Sequence, residues 1–198
     1  MKIAVIGSHK VGKTTLSHFI VSKLKALDFD VAFSQEAALR CPLPIDEKTS
    51  LSAQQWILLE TIKNELELAD KHVHLVCDRS VIDNFAYFHR AAKNQNKLEM
   101  PDYKIFQSLV SDWLSTYDFI FKLNPSQSFN QKNLFREDYL DFQTEINLIL
   151  DDLLKNFKVK VINLTATDLN INSEKIINEI NLDKTKTKKA FGIKEWLK

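Results

Sequence analysis

Gly7-Ser8-His9-Lys10-Val11-Gly12-Lys13-Thr14 satisfies G-x-x-x-x-G-K-[ST] in full. An apolar run, Ile3 to Ile6, precedes it, and a helical period follows it through Leu16, Phe19, Ile20, Leu24 and Leu27. Glycine lets a backbone curl so that successive N–H groups face one anion, and the helix after the turn aims its positive end at the same point. In that geometry Lys13 reaches the β- and γ-phosphates of a nucleotide and the Thr14 hydroxyl ligates Mg²⁺, with Thr15 beside it. A chance match to four specified positions occurs in about 1% of chains of this length at ordinary residue frequencies. With three glycines in 198 residues, two of them inside this window, chance explains it poorly.

Outward from the loop, strand-like and helix-like segments alternate. Val31-Ala32-Phe33, Val73 to Cys77, Phe119 to Leu123 and Val159 to Leu164 read as strands two to five. Helical patterns cover Leu51 to Ala69, with Trp56, Leu59, Ile62 and Leu66 on one face, then Val81 to Ala92, Pro101 to Leu114, Tyr139 to Asn156 and Ser173 to Ile180. Strands separated by helices pair through right-handed crossovers, so the expected architecture is a three-layer α/β domain with a parallel sheet. The expected domain spans residues 1–182, with a lid at 125–138 and a basic tail at 183–198.

In such a sheet ligands gather beyond the carboxyl ends of the strands. Asp78-Arg79-Ser80 ends the third strand, so Asp78 is a candidate for Mg²⁺ and Arg79 for phosphate oxygens. Glu36 ends the second strand and suits the proton of an acceptor hydroxyl, with Arg40 one turn on for an anionic group. Arg136, in Phe135-Arg136-Glu137-Asp138, is placed to bring positive charge to a transferring phosphoryl group from the lid, and Lys132 is a weaker candidate. The turn Leu164-Thr165-Ala166-Thr167 is expected to pack on the adenine of ATP through its backbone, chiefly at Thr165 and Ala166. His72 and His74 share a strand face without ligand-spaced partners and read as structural.

Composition narrows the classes. A formal net charge of +1, with 44% hydrophobic and 27% charged residues, argues against a nucleic-acid or membrane-surface role. The cluster from Lys184 to Lys189 reads as a solvated tail. Two isolated cysteines, Cys41 and Cys77, and an N-terminal apolar run too short for an export signal give the expectation of a reduced, cytoplasmic protein. After the fourth strand the chain reads Lys122-Leu123-Asn124-Pro125, without the Asn-Lys-x-Asp of guanine readers.

Gly7–Thr14, Glu36 with Arg40, Gln54-Gln55-Trp56-Ile57, Asp78-Arg79-Ser80 followed by Asp83, Asn84 and Tyr87, and Arg136 together resemble the AAA-labelled P-loop ATPase/kinase family that includes the nicotinamide riboside kinase domain. They are similar, more distantly, to thymidylate kinase and the deoxynucleoside kinases. The resemblance covers about residues 1–165. It implies the P-loop fold with strand order 2-3-1-4-5 and an ATP·Mg²⁺-dependent kinase of a small acceptor, a nucleoside or nucleotide. It further implies Asp78 and Arg79 at metal and phosphate, Glu36 at the acceptor and Arg136 on the lid. The other readings are an ATP-dependent switch and a kinase of polynucleotide 5′-hydroxyl ends.

Overall fold

The computed structural model describes residues 1–45, 49–125, 137–165 and 169–182. Arg136, Lys132, Ala166, most of the expected lid and the whole basic tail lie outside the described residues.

Five strands, β1 (Lys2–Ile6), β2 (Val31–Ser34), β3 (His74–Asp78), β4 (Phe119–Asn124) and β5 (Ile162–Thr165), form one parallel sheet in the order β2-β3-β1-β4-β5. The loop-bearing β1 is therefore central. Its two neighbours, β3 and β4, are fully or nearly fully buried, as parallel strands covered on both faces must be.

Alternation along the strands sorts the core into two layers. Ile3, Val5, Val76, Phe121 and Leu123 pack against α1 (Lys13–Ala26) and the C-terminal helix α6 (Leu169–Leu182). Ala4, Ile6, Leu75, Cys77 and Ile120 face the other way, toward α2 (Leu51–Lys71), α3 (Val81–Asn94), α4 (Pro101–Leu114) and α5 (Glu137–Asn156). The helix starts carry local signals: Ser50 accepts from the Ala53 N–H, Ser80 and Asp83 form a reciprocal capping box, and Pro101 opens α4. A 3₁₀ turn, Ala37–Arg40, follows β2. Both cysteines are free.

The structure corrects the expectations for α2, for the bounds of the last strand and helix, and for the two histidines. The buried face of α2 is Ala53, Gln54, Ile57, Leu58, Thr61 and Glu65, whereas Leu59 and Leu66 are exposed. Tertiary demand overrides the apolar stripe here, because Glu65 partners a buried lysine, Lys2, and Gln54 lines a cavity. The fifth strand is displaced toward Thr165, following its register with β4, and the last helix starts four residues earlier than the apolar period indicates. The two histidines do not share a strand face, because β3 begins at His74 and His72 precedes it. His74 is buried beside Phe29, while His72 is held at the rim by Asp30.

Among the described residues no helix is long and apolar enough to cross a membrane.

Candidate active site

The β1–α1 turn is a backbone cradle. Gly7 (φ 143°), Lys10 (φ 59°) and Gly12 (φ 93°) take positive φ, which turns the peptide planes between them. Gly7 is required for a second reason: a Cβ there would stand 2.4 Å from the Leu123 carbonyl oxygen of β4. The Gly7 N–H donates to Asp83 Oδ1 at 2.9 Å, while Asp83 Oδ2 receives the Ser80 N–H at 3.0 Å and the Ser80 hydroxyl at 3.1 Å. Asp83 thus ties the loop to the start of α3. The sequence signal for it is the Ser-x-x-Asp capping pattern, which by itself indicates only a helix start.

Lys13 is buried, and its Nζ donates to the Ser8 carbonyl at 2.6 Å. Burial, followed by the nearby Arg79 charge, lowers its pKa to about 7. Placing an anion against this amine restores its proton. Between about pH 7 and the higher bound-state value the complex therefore carries more protons than the free protein. Nucleotide binding should accordingly take up protons and weaken as pH rises above about 7. Calorimetric titrations in buffers of different ionisation enthalpy measure that uptake directly, and zero uptake at pH 8 would contradict it.

The Thr14 hydroxyl donates to Asp78 Oδ2 at 2.6 Å, and Asp78 Oδ1 is buried without a hydrogen-bond partner. Burial is the main cause of the raised Asp78 pKa. A hydroxyl in contact with a carboxylate whose second oxygen is left without a partner fits a hard divalent cation. The Ser8 Oγ is also buried and unpartnered within the loop.

Arg79 follows at φ 80°, a left-handed conformation that costs a non-glycine residue roughly 1–3 kcal/mol. The turn aims its guanidinium across the strand ends, where Nε donates to Glu36 Oε1 at 2.5 Å. Its Nη1 is buried without a partner, and its Cζ lies 5.4 Å from the Tyr87 ring centroid. His9 Nδ1 stands 3.3 Å from the Tyr87 hydroxyl. Burial first, then Arg79, Lys13 and Lys10, lowers the His9 pKa to about 4, so its imidazole is neutral at physiological pH.

Glu36, Arg79, His9 and Tyr87 wall a cavity of about 250 Å³ that Gln54, Ile57, Asn84 and Phe142 close. Asn84 is oriented by donating to Thr61 Oγ1 at 2.7 Å. Of the residues expected at the site, Lys13, Thr14, Asp78, Arg79, Glu36 and the loop Gly7–Gly12 come together around the ends of β1, β2 and β3. Thr15 is exposed on α1. Arg40 does not line this cavity, since its Nη2 pairs with Glu60 of α2 at 3.3 Å. Thr165 ends β5, three strands away from β3, with its carbonyl accepting from Asn172 at 2.8 Å. Phe142 had no local sequence signal, because only the fold carries α5 back over the loop.

Fold and site together define a P-loop α/β domain of the kinase-like strand order. The chain belongs to the AAA domain family, whose model matches residues 2–170. None of the curated proteins matches it significantly. Among solved structures it is similar to deoxyadenosine kinase from M. mycoides with bound dCTP, at 20% identity over 91% of this chain and 99% of that one, with a TM-score of 0.61. The same enzyme with bound dATP matches at 19% identity, 91% and 100% coverage and a TM-score of 0.59. Thymidylate kinase from Ehrlichia chaffeensis matches at 17% identity, 91% and 98% coverage and a TM-score of 0.62. At these identities the likeness establishes the fold.

Proposed function

We propose that this chain is an ATP- and Mg²⁺-dependent kinase that phosphorylates a hydroxyl of a small acceptor, a nucleoside in preference to a nucleotide. The observation that carries the reading is the Glu36–Arg79 contact at 2.5 Å, on the wall of a cavity beside a complete phosphate-binding loop. A carboxylate suited to an acceptor hydroxyl thus stands against a guanidinium with an unpartnered donor, which suits phosphoryl oxygens.

The loop N–H groups, Lys13 and Arg79 hold the donor phosphates and balance charge as the terminal phosphoryl group moves. Glu36 takes the proton as the acceptor oxygen bonds to phosphorus and the bridging oxygen to ADP departs. Thr14 and Asp78 would hold Mg²⁺, which supplies charge neutralisation between the phosphates. Arg136, which lies outside the described residues, is assigned the same electrostatic task as part of the expected lid.

The acceptor preference follows from the wall. Two amides, Gln54 and Asn84, and two aromatic rings, Tyr87 and Phe142, suit the edge and face of a base. Arg79 is the one lysine or arginine among the described lining residues, and it is already bonded to Glu36. A monophosphate dianion would ask for more positive charge than that. The structural relatives, one named a deoxyadenosine kinase and one a thymidylate kinase, support the coarser class, a nucleoside or nucleotide acceptor; the preference for the nucleoside rests on the wall alone.

The deciding assay is ADP release from Mg·ATP against a panel of nucleosides, nucleoside monophosphates and nicotinamide riboside, with product masses determined. Stimulation by a nucleoside with a product heavier by one phosphoryl group is expected. Turnover indifferent to every compound would refute the acceptor reading. Within the same assay, Asp78→Asn should raise the Mg²⁺ concentration for half-maximal activity by about 10- to 100-fold, the usual penalty for disturbing a metal's surroundings. Metal-free ATP affinity should stay nearly constant. Equal loss of both would assign Asp78 a structural role.

A further inference from the structure

Gln143 lies far from the phosphate-binding loop in sequence, yet its Nε2 donates to the His9 carbonyl oxygen at 2.5 Å. The helix that carries it is firmly held. Lys122 of β4 bonds Asp151 at 2.6 Å, and Arg90 of α3 bonds Glu145 at 2.6 Å. Arg90 also lies over the Phe142 ring, 4.4 Å from its centroid, and Phe142 in turn packs on the His9 imidazole at 5.0 Å.

A loop that turns its N–H groups toward one anion must turn the corresponding carbonyls away, because the two groups of a trans peptide point in opposite directions. Each carbonyl turned into a partly buried setting then needs a donor. For Ser8 that donor is the Lys13 ammonium, which a bound triphosphate competes for. For His9 the donor is the Gln143 amide, which has no role toward phosphate. The His9–Lys10 peptide sits where the chain enters the left-handed conformation of Lys10.

We propose that Gln143 is a positioning residue of the phosphate-binding loop. By holding the His9 carbonyl outward it keeps the Lys10 N–H turned to the phosphates while Lys13 is drawn off Ser8. The inference rests on reading Gly7–Thr14 as a nucleotide cradle.

The test uses the full chain carrying Gln143→Met, which keeps length but loses the donor, and Gln143→Glu, which keeps shape but offers a carboxylate to the carbonyl. Calorimetric Kd values for Mg·ATP and Mg·ADP should rise about three- to tenfold for Met, the range of one neutral hydrogen bond, and further for Glu. The thermal midpoint should match the wild type, and kcat at saturating Mg·ATP should hold within about twofold, a split expected when only uniform binding is lost. A Met variant that binds as tightly as wild type overturns the proposal. So does a loss of affinity that tracks a fall in thermal midpoint, which means packing alone. Wild-type protein that binds no Mg·ATP refutes the cradle itself, a different failure from tight binding by both wild type and variants.

Discussion

Lys13→Met should abolish phosphoryl transfer and at the same time make the protein harder to unfold. The amine is buried and hydrogen-bonded to the Ser8 carbonyl, and burial lowers its pKa from an ordinary 10.5 to about 7. A lysine whose folded pKa lies below its unfolded value works against folding wherever the unfolded chain binds the extra proton. That cost is fully present below about pH 7 and fades as pH rises toward 10.5. Methionine removes the cost and keeps the volume. It also removes the charge that follows the terminal phosphoryl group, and loss of one preorganised electrostatic contact of this kind costs about 10²–10³-fold in turnover. The expected pair of results is turnover down by about two to three orders of magnitude and a melting temperature raised near neutral pH. Turnover above a tenth of wild type would refute the assignment of Lys13 to the transferring group. A lowered melting temperature would show that the Ser8 contact outweighs the buried charge.

The largest stability effect is expected at the opposite end of β1. Lys2 is completely buried, pairs with the equally buried Glu65 of α2, and donates to Thr116 Oγ1 at 2.7 Å. Its ammonium lies 4.0 Å from the Tyr117 ring centroid and 4.7 Å from that of Trp113. Glu65 accepts from Trp113 Nε1 and from the Tyr117 hydroxyl, each at 2.7 Å, and Tyr117 receives the Val81 N–H at 3.2 Å. This network ties β1, α2 and the start of α3 together beneath the site. Lys2→Met strands a carboxylate with no counter-charge, so about 3–5 kcal/mol of unfolding free energy should be lost. Adding Glu65→Gln removes the stranded charge and should recover much of it. Denaturant midpoints at constant m-value give both numbers. A single-variant loss below about 1 kcal/mol would mean that the pair contributes nothing net.

The loop half of the candidate site was legible in the sequence for a physical reason. Gly7, Gly12, Lys13 and Thr14 act through local backbone geometry, and a β-turn-α unit places them within one short stretch. Asp78 and Arg79 were legible because a strand end in a parallel sheet always faces the ligand side, which also put Glu36 in reach of Arg79. Arg40 shows the limit of that logic: one turn past the strand, a long side chain found Glu60 instead of the cavity.

The sequence by itself determined an α/β parallel sheet, its β-loop-α turn and the strand-end acid and arginine, since each depends on residues near one another in the chain. The tertiary structure alone decided which face of α2 is buried, because Glu65 must meet Lys2, far from it in the sequence, and Gln54 must meet a cavity built from several elements. It alone decided that Asp83 braces Gly7, and that Phe142 and Gln143 return over the loop from α5. Those contacts arise from packing helices on a sheet whose order differs from chain order, and no local period records them.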